Sequence, residues 1–242
     1  MQARLLGSAG WIPTDARETT CIYFRRDDHV LIVDGGTGIR RLVTEPELTD
    51  SVRRLSIVLT HFHIDHIMGL PFLAELAHVP ECEIWGGGIA LEGTPTEDLL
   101  HRLASPPFIS ADELPARVGE LDAGENELGS FAVVARVQRR HTNPTLAFRV
   151  NGELAVCTDT EYDDENTEFA RGARVLCHDS FCPPECRGHT SAADAAGIAA
   201  AAGVERLVLI HLNPFADEEE LLRQARRVFP ETEIGRDGMI LG

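Results

Sequence analysis

The chain has 242 residues, 43% hydrophobic and 25% charged, which is enough for one compact domain (residues 1–242) to bury a core without disulfides or structural metals. Its formal net charge of −17 repels polyanions and argues against broad binding of extended nucleic acid. No stretch approaches a membrane span, and residues 1–10 lack the basic start and apolar run of a signal peptide, so a cytoplasmic location is expected.

In chain order, His29 to Asp34 and Leu55 to Thr60 are apolar runs with β-branched residues, each closing on a polar side chain. That pattern predicts buried strands delivering a functional residue at their C-terminal ends. Leu70 to His78 and Thr96 to Leu103 read as short helices, and residues 86–129, rich in Gly, Pro and acids, as loop and surface helix. Phe131 to Val137, Thr145 to Val150, Glu153 to Thr158, Arg174 to Cys177 and Arg206 to His211 read as further strands. Asp34-Gly35-Gly36 and Asn151-Gly152 signal tight turns, the second joining two strands as a hairpin. Ser191 to Ala202 is an alanine-rich helix with Thr190 or Ser191 as N-cap and Gly203 as its stop. Asp217 to Val228 opens with acids and ends with Arg226 and Arg227, matching the helix dipole. Strands mixed with helices, without strict βαβ alternation, point to packed sheets with helices outside.

The run Thr60-His61-Phe62-His63-Ile64-Asp65-His66 crowds four potential ligands into six positions after a strand. Imidazole and carboxylate together suit zinc, manganese or iron. His61 and His63 project to one side if the chain stays extended; Asp65 and His66 then need a turn or helix start to reach a second ion. A solvated polar loop would not be flanked by Ile57-Val58-Leu59 and Ile67-Met68-Gly69-Leu70.

This His-x-His-x-Asp-His run, with Thr60 and Gly69-Leu70, resembles the signature of the metallo-β-lactamase superfamily. The resemblance implies an α/β (α+β) fold, a four-layer αββα sandwich of two mixed sheets with helices outside, and two divalent metal ions, Zn first, with Mn or Fe as alternatives. It implies one site of His61, His63, His141 and Asp159, and a second of Asp65, His66, His211 and Asp159, so that Asp159 bridges. Asp34 would orient a metal ligand rather than bind metal; read from the residues alone it is equally an Asp-Gly turn residue. Two such ions bring a water's pKa toward about 7 and suit an anionic phosphodiester better than a neutral ester.

Leu6-Gly7-Ser8-Ala9-Gly10-Trp11, Val33-Asp34-Gly35-Gly36-Thr37-Gly38 and His189-Thr190-Ser191 look like the ribonuclease Z branch, including members similar to the phosphoribosyl cyclic phosphate phosphodiesterases. Cys177-His178-Asp179-Ser180 stands where that branch has His-Glu-Ala-Thr, departing from it in Asp179 and Ser180. The branch implies His189 as the acid at the leaving oxygen and Asp179 as its orienting partner, with Asp65 counted among both ligands and catalytic residues; His189 is otherwise a residue at a helix start. Only 18 positions separate His141 from Asp159, leaving no room for the long tRNA-grasping arm of ribonuclease Z. A small cyclic or linear phosphodiester is therefore the expected substrate. A ribonuclease Z-type tRNA 3′ endonuclease, a lactonase or other ester hydrolase, and a metal-containing sensor without turnover are the alternatives, and the oligomeric state, a homodimer included, stays open.

Arg139 and Arg140 are candidate phosphate holders or a solvated basic pair. Six cysteines give no disulfide framework, while Cys177, Cys182 and Cys186 with His178 raise a structural zinc site. Gly86-Gly87-Gly88 lacks the Lys-Ser/Thr ending of a phosphate loop. His29, His78 and His101 stand alone and read as surface or core residues.

Overall fold

The computed structural model describes residues 1–109, 114, 116–182 and 187–242. The first half winds a six-stranded sheet from β1 (Gln2–Gly7), β2 (Cys21–Arg26), β3 (His29–Val33), β4 (Arg54–Val58), β5 (Glu81–Gly86) and β6 (Arg117–Glu120). Its strands lie in sequence order, antiparallel from β1 to β3 and parallel from β3 to β6. The second half forms a seven-stranded sheet from β7 (Gly124–Leu128), β8 (Phe131–Gln138), β9 (Thr145–Val150), β10 (Leu154–Cys157), β11 (Val175–Asp179), β12 (Arg206–Ile210) and β13 (Thr232–Ile234). It is antiparallel from β7 to β10 and parallel from β10 to β13.

Strand alternation assigns each apolar residue to a layer. In β3, Leu31 and Val33 enter the core between the sheets, while Val30 and Ile32 pack on the outer face. In β12, Val208 and Ile210 face the other sheet, and Leu207 and Leu209 face the helices. Both faces being covered explains why these strands read as unbroken apolar runs. Helices α1 (Arg40–Thr44), α2 (Ile64–Ile67), α3 (Gly88–Glu92) and α4 (Thr96–Leu103) belong to the first half. On the second half, α5 (Asp164–Ala170), α6 (Ala192–Ala202) and α7 (Glu218–Arg226) cover the outer face. The order is helix, sheet, sheet, helix. In α6 the buried Ala192, Ala195, Ala196 and Ala199 let its backbone lie close to the sheet, and Ser191 caps it by accepting from the Asp194 N–H.

Several expectations need correction. Leu70–Leu76 is a 3-10 helix rather than an α-helix, with Pro71 at its start. Residues 86–129 hold two strands, β6 and β7, besides α3 and α4; both strands are short edges of their sheets and carry too few apolar residues to read as buried. Gly86 ends β5 and Gly88 opens α3. Strands β1, β2, β5 and β13 also escaped the pattern. The Asn151-Gly152 hairpin does form, both residues having positive φ, 48° and 71°.

Six of the strands that matter run in the same sense within their sheets, so Asp34, Thr60, His141, Asp159, Asp179 and His211 emerge at or just beyond C-terminal strand ends. The two sheets are tied at this edge. Leu146 N–H donates to Thr60 O at 2.7 Å, and the loop after β1 bonds to the end of β12 through Gly10 N–H to Leu212 O at 2.9 Å.

Candidate metal centre

Backbone conformation delivers the donors. His63 is extended (φ −63°, ψ 148°) as N-cap of α2, so His61 and His63 point to the same side with ring centroids 4.4 Å apart. The single turn of α2 then swings Asp65 and His66 inward, where both are buried. Asp34, Asp159 and His211 adopt left-handed φ values of 66°, 52° and 52°, each peeling the chain off its strand. Such positions cost on the order of 1–3 kcal/mol per non-glycine residue and persist only where the surroundings compel them.

The imidazole tautomers follow from oxygen acceptors around the rim. Buried Asp34 accepts from Thr60 N–H (2.8 Å), from the Thr60 hydroxyl (2.9 Å) and from His66 Nδ1–H (2.8 Å). Having given its proton to Asp34, the Thr60 hydroxyl accepts from His61 Nδ1–H at 3.0 Å. His141 Nδ1–H donates to Gly188 O at 2.6 Å, and His63 Nε2–H to Asn143 Oδ1 at 3.4 Å. With metal bound, the other nitrogen of each ring would turn its lone pair to the interior. His61 Nε2 and His66 Nε2 are buried there with no hydrogen-bond partner. Buried polar atoms are almost always paired, and two such lone pairs facing carboxylates fit cations between them.

Five donor groups lie within ligand-sharing distance: His61, His63 and His141; His61, His66 and Asp159; Asp65, His66 and His211; and, reaching out to His189, His141, Asp159 and His189, and Asp179, His189 and His211. Asp159 is central, its carboxylate 3.2 Å from His66 Nε2, 3.3 Å from His211 Nε2 and 3.8 Å from His141 Nε2. Asp65 Oδ2 is 3.4 Å from His66 Nε2 and 3.3 Å from His211 Nε2, and accepts the Trp11 backbone N–H at 2.9 Å.

Electrostatics points the same way. Burial, reinforced by His66, holds the His61 imidazole well below its usual pKa, so it is neutral. Burial also opposes charge on His66 and His211, but Asp159 and its neighbouring carboxylates outweigh it and raise both. Burial would keep Asp159 protonated, yet His211 and His66 hold it far below the carboxylate range, and His66 and His211 act likewise on Asp65. Four buried carboxylates, Asp34, Asp65, Asp159 and Asp179, form ion pairs only with histidines among the described residues, and the chain contains no lysine at all. Divalent ions supply the positive charge this arrangement lacks.

Beside the cluster, His189 Nδ1–H donates to Asp179 Oδ2 at 2.9 Å. That contact leaves Nε2 as the ring atom open to a ligand. A cleft of about 370 Å³ opens over the centre, lined by Trp11, His63, Asp65, His141, Thr142, Asp159, Phe181, His189 and His211. The structure brings His61, His63, Asp65, His66, His141, Asp159, Asp179, His189 and His211 together here, with Asp34 behind His66. Arg139 and Arg140 are not among them: both are exposed, and Arg140 is turned to the Tyr162 carbonyl at 3.1 Å. Among the described residues no metal cluster includes a cysteine: Cys177 is a free thiol in the core between the sheets and Cys182 is disulfide-bonded, while Cys186 lies outside the described residues. The structure adds Thr60, Asn143, Gly188 and the Trp11 N–H as orienting groups. Backbone donors and carbonyls leave no trace in side-chain spacing, although Thr60, next to His61, was a readable signal. His29 is a core residue, its ring bonded to Ser56 Oγ at 3.0 Å and the Ser130 N–H at 3.1 Å.

Residues 29–212 match the family model described as Beta-lactamase superfamily domain. Ribonuclease Z of Methanopyrus kandleri is 26% identical over 276 aligned positions, covering 98% of this chain and 96% of the relative. The alignment is longer than the 242-residue chain, so dozens of the relative's residues have no counterpart here. Among solved structures, the metallo-beta-lactamase fold protein YhfI from Bacillus subtilis superimposes with a TM-score of 0.82 at 22% identity, covering 100% of this chain and 99% of that one. A diphosphatase from the PhnP family gives 0.77 at 19% identity, covering 100% and 97%. The two-sheet architecture, the donor clusters and a family match over about three quarters of the length agree, and the chain belongs to the beta-lactamase superfamily, whose fold implies binding of divalent metal.

Proposed function

We propose that this hydrolase is a dinuclear metal-dependent phosphodiesterase acting on a small cyclic or linear phosphodiester. The observation that carries the reading is the pairing of the His189–Asp179 contact with the buried His/Asp cluster across one cleft. In this reading His61, His63, His141 and Asp159 hold one ion, Asp65, His66, His211 and Asp159 hold the other, and Asp34 orients His66. Zinc suits the imidazole-rich set best, with manganese or iron able to replace it. Bound there, the ions supply Lewis acidity that brings a water's pKa toward about 7 and neutralises a phosphodiester's charge.

The protein's own groups do the rest. Asp179, buried and fixed, holds the His189 ring by its Nδ1–H, so Nε2 can carry a proton to the leaving oxygen. Phe181 packs beside His189, the ring centroids 4.7 Å apart and the planes tilted by 34°. Asp65, held by the Trp11 N–H, acts as a ligand rather than as a separate acid or base.

Cleavage of precursor tRNA, the activity of ribonuclease Z, is the second reading, favoured by the name of the curated relative. Three features weigh against it. The chain between His141 and Asp159 is a single hairpin, β9–β10, with no arm. The cleft lining contains no arginine, and the net charge is −17. Bis(p-nitrophenyl) phosphate offered to protein loaded with Zn or Mn decides the matter. Turnover supports a phosphodiesterase. Inert diesters with lactone turnover favour the ester hydrolase, inertness to every substrate with metal bound favours a sensor, and 3′ processing of precursor tRNA restores the endonuclease.

A further inference from the structure

Phe181 is shared between two hollows. On one side it lines the metal cleft and lies 4.7 Å from the His189 ring and 5.5 Å from the His211 ring, centroid to centroid. On the other it lines a second chamber of about 330 Å³, between the loop after β12 and the start of α7. A molecule whose phosphate sits in the cleft reaches the chamber by passing over Phe181.

The chamber's chemistry is selective. Phe215 stands at its edge 87% exposed, set outward by a turn in which its N–H donates to Asn213 Oδ1 at 2.9 Å. A phenyl ring left in water at the rim of a cavity gains by stacking on a planar partner. Leu221 adds apolar surface. The polar lining comprises the Asn213 and Gln224 amides with the Asp217 and Glu220 carboxylates, and no arginine lines it. Gln224 spends its NH₂ on Glu220 at 2.6 Å, leaving its oxygen as an acceptor. Asp217 is already the cap of α7, accepting from the Glu219 and Glu220 N–H groups, and Glu220 pairs with Arg223, so the Gln224 oxygen is left as an acceptor for the edge of an uncharged ring.

We propose that this chamber is a specificity subsite that binds an uncharged planar ring borne by one alcohol of the diester, stacked between Phe181 and Phe215. The assignment rests on the phosphodiesterase reading above and sharpens it: a second phosphate or carboxylate on that alcohol is excluded, while an aromatic ring is favoured.

The test compares two diesters on metal-loaded protein: bis(p-nitrophenyl) phosphate, and the cyclic phosphate of ethylene glycol, which has no aromatic ring, followed by phosphorus NMR. Stacking on an aromatic side chain accounts for about 5- to 150-fold per ring. Phe215→Ala should raise KM for the aryl diester about tenfold, with KM for the ring-free diester changed less than twofold, and Phe215→Tyr should restore the difference. A second readout needs neither metal nor turnover. Saturation-transfer NMR should detect p-nitrobenzyl alcohol, a neutral nitrophenyl ring, on the metal-free wild type and lose it in Phe215→Ala. Equal effects on both diesters, or on neither, overturn the subsite. If the wild type turns over neither diester, the phosphodiesterase reading fails, and Phe215-dependent binding of p-nitrobenzyl alcohol then decides the chamber alone: present, it stands; absent, it falls.

Discussion

Gly10→Ala is the sharpest probe of how the N-terminal loop holds the centre. A β-carbon built on Gly10 lies 2.5 Å from Nδ1 and Cε1 of His211 and 2.9 Å from its Cγ, whereas ordinary contact begins near 3.4 Å. The His211 ring must therefore retreat by about 1 Å, against a tolerance of about 0.2 Å in metal–ligand distances. Retreat is blocked on two sides. The ring stacks on His66 with centroids 5.2 Å apart and an interplanar angle of 22°, and packs against Phe181. The Gly10 backbone is pinned by its N–H to Leu212 O at 2.9 Å. Affinity at the Asp65/His66/His211 cluster should fall at least tenfold, about the low end of the loss seen when groups supporting a ligand are removed. The His61/His63/His141 cluster, which Gly10 does not touch, should keep its ion. Metal per chain after dialysis against buffered Zn, read by mass spectrometry, would drop from two toward one. Gly197→Ala is the control, because its β-carbon meets nothing within 4 Å and the residue sits inside α6. It should stabilise by roughly 0.5–1 kcal/mol with both metals retained. Two metals at wild-type affinity in Gly10→Ala would refute the reasoning.

Asp159→Ala should weaken both metals together, and competition with a chromogenic chelator would show one surviving tight site if the bridging assignment is wrong. Asp34→Asn keeps the shape but cannot accept from Thr60 N–H, the Thr60 hydroxyl and His66 Nδ1–H at once; Zn affinity should fall about 10- to 100-fold with the secondary structure unchanged by circular dichroism. His189→Ala should retain both metals yet lower kcat for bis(p-nitrophenyl) phosphate about 10²- to 10⁴-fold, and metal loss instead would move His189 into the ligand set. Burial pushes the Cys157 and Cys177 thiols up to about 12. Only about 1 in 10⁴ of such thiols is ionised at pH 8, so alkylation by iodoacetamide should label neither until the protein unfolds, a result checked by mass mapping with and without denaturant.

What could be read in advance was whatever two covered sheet faces impress on composition. β3, β4 and β12 carry apolar side chains on both faces, and so announce themselves as apolar runs ending in Asp34, Thr60 and His211. β6 and β7 lie at sheet edges, bury only Leu128, and consist largely of Gly and Glu, so nothing in Arg117–Glu120 or Gly124–Leu128 distinguishes strand from loop. The histidines and aspartates of the centre were legible as side chains. The groups that aim them were not, because the Gly188 carbonyl, the Trp11 N–H and the turn of α2 belong to the backbone. Phe181 escaped for another reason: its meaning depends on touching His189 and His211, from a loop that carries no motif.

Asp34, Asp159 and His211, held in left-handed conformations, also bear on how this protein could be improved. Glycine would adopt each of those backbone conformations without strain, whereas the residues present adopt them at a cost. Selection or engineering for thermal robustness alone would thus be drawn to the same three positions that chemistry occupies. A library screened only for residual fold after heating should enrich glycine or asparagine there, yielding sturdier proteins with a dismantled centre. Part of the stability this chain forgoes lies where Asp34, Asp159 and His211 leave their strands.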